Sequence, residues 1–110
     1  MLLYAVQVEI DEEVAEAWRR WMNYTHIPEV IGTGYFRGYR FGEVVEPAAP
    51  PGKRRFLVLY EAPDEAHLRA YLEKDAPRLR AAYPPEFQGR FVASRWVWWM
   101  SLSSVGGRRV

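Results

Sequence analysis

Two histidines, a strand carboxylate and a few arginines are the groups of this chain that could move a proton or hold an anion. His26 stands in "NYTHIPEVIGTGYF", between an aromatic-rich helical pattern and Pro28. It reads in two ways. An imidazole there can donate to unpaired carbonyls at a helix C-terminus, for about 0.3–1 kcal/mol. Beside the apolar wall of Trp18, Trp21 and Met22 it can instead serve as a general base. His67 precedes Leu68 on a wet helix face and has no second ligand at metal spacing. Gln7 and Glu9 alternate with Leu3 and Ala5 on one strand face, where an uncompensated polar group would be costly. Arg37, Arg40 and Arg95 are strand arginines able to reach them. The set is either a satisfied polar network between subunits, or a ligand-facing site. In the second reading His26 or Glu9 is the catalytic base, and Arg40 or Arg95 holds an enolate or phenolate. Gln7 is then a further ligand contact, with Trp18, Trp21 and Tyr35 as aromatic walls.

Other chemistries lack their residues. The chain has no cysteine and no HxxxH, ExxH or CxxC spacing, so no metal or other cofactor is expected. "GTGYFRG" lacks the Lys-Ser/Thr of a phosphate loop, and "RRFLVLYEA" lacks the glycine-aromatic pattern of an RNA-recognition strand. A formal charge of +1 argues for neither nucleic acid nor an anionic membrane surface. The opening "MLLYAVQVEIDEE" has no basic flank or long apolar run, and no stretch approaches the roughly 20 apolar residues of a membrane span. A soluble, cytoplasmic protein is the expectation.

The elements that must position these groups follow from periodicity. Leu2 to Ile10 alternates as a strand, with Tyr4, Val6, Val8 and Ile10 on one face. Asp11 offers a helix N-cap, and Val14, Trp18, Trp21, Met22 and Thr25 follow as a helical stripe. Pro28 should end that helix near His26. Strands are predicted over 35–45 and 55–61, joined by the proline-rich "EPAAPPGKRR" loop. Pro63 and Asp64 start a second helix that Pro77 breaks in two, and a last strand covers 90–100.

The order β-α-β-β-α-β defines a ferredoxin-like α+β fold, a four-stranded antiparallel sheet with two helices on one face. A single domain over residues 1–102 is expected, with a flexible tail over 103–110. The other sheet face carries Leu57, Leu59, Trp96 and Trp98, which water would not favour. A second copy of the chain is the cheapest cover, so a homodimer through the open face is expected.

"LYAVQVEIDEEVAEAWRRWM", "HIPEVIGTGYF", "YLEKDAPRLR" and "FQGRFVASR" together resemble a bacterial domain-of-unknown-function family of the dimeric α/β-barrel superfamily, over Leu2 to Trp98. The superfamily includes antibiotic-biosynthesis-type monooxygenases, muconolactone isomerases and heme-dependent members. The resemblance implies a small ligand between the helices and the concave sheet, or inside the dimer barrel. Since no residue demands a reaction, the expected function is a small-ligand-binding or structural module. The alternative is a cofactor-independent monooxygenase or isomerase acting on a small apolar or aromatic metabolite. A void of about 300 Å³ or more touching His26 or Glu9 would favour the enzyme.

Overall fold

The computed structural model describes residues 1–100, so the expected tail over 103–110 lies outside the described residues. Strand β1 (Leu2–Asp11) leads into helix α1 (Glu12–Trp21), and a wide turn (Met22–His26) joins this to α2 (Ile27–Gly32). Strands β2 (Gly38–Glu43) and β3 (Lys53–Ala62) form a hairpin. Helices α3 (Glu65–Lys74) and α4 (Ala76–Ala81) precede β4 (Phe91–Trp99). All neighbours in the sheet are antiparallel, in the order β2-β3-β1-β4. This is the ferredoxin-like α+β topology, whose two interior strands, β1 and β3, are the first strands of the two βαβ halves. No described helix is long and apolar enough to cross a membrane.

Register explains which side chains meet. Tyr4 pairs with Tyr60, Val6 with Val58 and Val8 with Phe56, so every second residue of β1 and β3 faces the helices. Trp18, fully buried, drops onto this layer from α1 and packs 5.1 Å from Phe56 and 5.9 Å from Phe41, centroid to centroid. Leu68 and Tyr71 of α3 and Leu79 of α4 complete the core. Pro77, within the first two positions of α4, separates it from α3 at Asp75, because a proline has no N–H for a continuous helix.

Two local expectations fail for identifiable reasons. The first helix does not stop at His26: the Ile27 N–H bonds back five residues to the Met22 carbonyl, a π turn, and the chain continues as α2 with Pro28 in its first turn. A proline at this point of a regular helix would leave a carbonyl unpaired and collide with it. Widening the turn accommodates both. The slip also rotates the stripe, so that His26 and Ile27 are buried where a regular helix would bury Thr25, which is exposed. Asp11, for its part, makes no capping hydrogen bond. Its carboxylate is taken by Lys53 and by Arg90, the latter at 2.6 Å, which ties the start of α1 to the two neighbouring strands.

Candidate functional site

Strand parity divides the sequence-derived candidates between two faces. Gln7 and Glu9 lie on the open side of the sheet, as does Arg40, which pairs with Leu59. Arg95 does not join them. It pairs with Val6 and therefore stands on the helix side, opposite to the face from which it could reach Gln7 or Glu9. Glu9 meets Arg55 instead, at 3.2 Å, so one subunit alone supplies its counter-ion. His26 and Arg95 share the helix side, and a single pocket containing His26, Glu9, Arg40 and Arg95 does not exist within the subunit.

The aromatic candidates also separate. Trp21 stacks on the His26 ring at 4.9 Å and 24°, and meets Tyr83 at 4.5 Å. Trp18 is core and lines no cleft at His26. Tyr35 packs edge-on to His67 and Tyr71, both at 6.5 Å, away from His26. His67 is exposed, with Nδ1 2.7 Å from Asp64 Oδ1, and the same carboxylate accepts the His67 backbone N–H as the N-cap of α3.

What surrounds His26 is a narrow cleft between the helices and the sheet. Tyr4 and Tyr60 line it from the sheet, Tyr71 and Arg80 from the helices and Arg95 from β4, while Tyr83 packs edge-on to His26 at 5.2 Å. Its volume is about 20 Å³, room for about one water-sized group. Arg80 donates to the Tyr4 hydroxyl at 3.2 Å. His26 is 8% exposed, and its buried Nδ1 has no protein hydrogen-bond partner. Burial, and then the Arg95 charge, push the His26 pKa down to about 4, so the ring is neutral at pH 7. Burial pushes Tyr71 up to about 12 and raises Tyr60 and Tyr83 as well. These three phenols stay protonated and able to donate.

Sequence reasoning missed the tyrosines and Arg80. A signal was present: Tyr4 and Tyr60 occupy strand positions whose neighbours Val8, Phe56 and Val58 are purely apolar, and a phenol on such a face usually seeks a partner for its hydroxyl. Among the described residues no group of three or more His, Asp or Glu side chains converges as a metal site.

Fold and cleft together define a ferredoxin-like α+β domain with a narrow polar cleft between helices and sheet. Residues 1–100 match DUF4286, a domain of unknown function, and the chain belongs to that family. Its structure is similar to that of HapK from Hahella chejuensis, with a TM-score of 0.68 at 14% identity over 94% of this chain and 95% of that one. It is also similar to an ethyl tert-butyl ether D (EthD) family protein from Bacillus halodurans, with a TM-score of 0.61 at 12% identity over 92% and 100% of the two chains. At such identities the likeness concerns the fold. No curated protein matches the chain.

Proposed function

We propose that this chain is a homodimeric small-ligand-binding module, pairing through its open sheet face and receiving its ligand in the cleft beside His26. The observation that carries the ligand-binding half is a buried imidazole nitrogen without a protein partner, set in a cleft walled by protonated phenols and two arginines. Buried polar groups in folded proteins are nearly always bonded, and the His26 orphan, unlike the equally unpartnered Nε1 of core Trp18, lines a cleft through which a partner from outside the chain can reach it. The dimer rests on the open face. A row of Arg40, Leu59, Ala5 and Trp96 crosses the sheet there, with Leu3 and Trp98 in the next row. Trp96 and Trp98 remain 42% and 37% exposed. Among the described residues no helix lies on that side to cover them, and a two-fold-related sheet would.

A monooxygenase or isomerase is the weaker reading. A cleft of about 20 Å³ cannot enclose an organic substrate, for which pockets of about 300 Å³ or more are usual. A histidine with a pKa of about 4 is also a feeble proton acceptor at neutral pH. Glu9, the other candidate base, is engaged by Arg55.

Thermal-shift screening of the protein against a metabolite library, with oxygen uptake followed for every hit, tests both readings. Saturable stabilisation without oxygen consumption or chemical change in the hit is expected. Turnover of a hit, abolished in His26→Asn, would install the enzyme instead.

A further inference from the structure

Resting on that ligand-binding reading, we infer that the cleft takes the carboxylate group of a small organic acid, held between Arg80 and Arg95 with His26 behind it. The polar lining of the site is rich in donors. Guanidinium groups have five N–H bonds and no acceptor, and the phenols of Tyr60, Tyr71 and Tyr83 keep their protons because burial opposes their ionisation. The neutral His26 ring can add an N–H. No aspartate or glutamate lines the cleft.

Arginine pairing elsewhere in the chain sharpens the contrast. Arg19, Arg54, Arg55, Arg69, Arg78 and Arg90 each close on a carboxylate. Among the described residues Arg80 and Arg95 have no such partner, and both line the same cleft. Arg20, Arg37 and Arg40 are also exposed, but none of them reaches this cleft. Two guanidiniums that line one cleft without a carboxylate partner favour a planar oxyanion, which they can bind through paired N–H···O contacts. Size narrows the choice. The interior admits about one water-sized group, which suits the tip of a carboxylate and not a tetrahedral phosphate. The body of the acid must then stay outside that interior, where Tyr83, half-buried and packed edge-on to Trp21, can meet it. An aromatic acid offers Tyr83 a ring to pack on.

Titration of the nitrogen-15-labelled protein with sodium benzoate, and in parallel with sodium acetate and sodium chloride at constant ionic strength, tests the assignment. Benzoate is expected to shift the His26 ring nitrogens and the Trp21 indole saturably, and to raise the His26 pKa. Arg80→Gln and Arg95→Gln, both at exposed positions, should each weaken benzoate by about tenfold, the scale of one charge-assisted contact. Arg78→Gln, outside the cleft, should leave it unchanged. The assignment is overturned by no saturable shift in the parent protein, by undiminished affinity in both arginine variants, or by chloride saturating the same resonances as tightly as benzoate. If the acids fail while a library hit of other chemistry moves the His26 signals, the carboxylate assignment falls and the ligand-binding reading stands. If nothing moves them, both fall.

Discussion

His26 is held neutral by its surroundings, and that has a thermodynamic consequence. In the unfolded chain its imidazole takes up a proton near pH 6.5, while in the folded protein it does so only near pH 4. Between those values the unfolded state binds more protons, so stability rises with pH through this window and falls as acid is added. At 1.36 kcal/mol per pKa unit the effect approaches roughly 3 kcal/mol once pH drops below 4. The lowered carboxylates of Asp11, Glu16, Glu43 and Asp64 act in the same direction, but only below their ordinary values of 3.8 to 4.5. Urea titrations from pH 7 to 4.5 should therefore show a loss that His26→Phe removes, since a phenyl ring keeps the stack on Trp21 and has no proton to bind. An unchanged slope in that variant would assign the loss to other groups. His26 itself was visible in the sequence as a chemically interesting residue. Its environment was not, because the π turn that buries it depends on how the chain accommodates Pro28 and on which face the core then claims.

At the scale of the element, the end of α2 shows how closely two glycines can differ. Gly34 has φ of +86°, in the left-handed region, and its N–H bonds to the Ile31 carbonyl at 3.1 Å, closing the helix. Gly32 is the last residue of α2, and a methyl group there would meet nothing within 4 Å. Gly34→Ala should cost about 1 kcal/mol or more from strain. Gly32→Ala should gain about 0.5–1 kcal/mol, because alanine has less freedom to lose on entering the helix. Chemical denaturation of the two variants side by side gives the comparison, and equal signs would contradict the assigned helix end. The sequence marks both positions only as a turn. Which glycine carries the positive φ is decided by where the helix stops, and the π turn moved that point six residues beyond His26.

At the scale of the whole molecule, assembly is the outstanding property. Light scattering on the parent protein should return twice the mass of one chain. Trp96→Glu combined with Trp98→Glu places two carboxylates on the open face beside Ala5 and Leu3, where each would lose hydration without a partner on dimer closure. A monomer with an unaltered circular dichroism spectrum is the expected result. Both substitutions lie on the side of the sheet away from His26, so benzoate binding should survive them. A parent protein that is monomeric at millimolar concentration would remove the dimer and leave the cleft in place.

Alternation in β1 and β3, the capping Asp64 and the breaks at Pro63 and Pro77 carried enough information to derive the ferredoxin-like order from the chain alone. Strand and helix periods are local properties of adjacent residues, and the split βαβ arrangement is one of few ways to cover a sheet with two helices. The apolar surplus on β3 and β4 was likewise legible, since it needs only a count of apolar residues on both faces. Tertiary structure alone decided the site. Parity says that Arg95 and Trp96 point to opposite sides, but only the register of β4 against β1 says which of them faces His26. Arg80 and Tyr4, 76 positions apart, meet because α4 folds back over the sheet, and no local pattern encodes a contact between elements so distant in the chain.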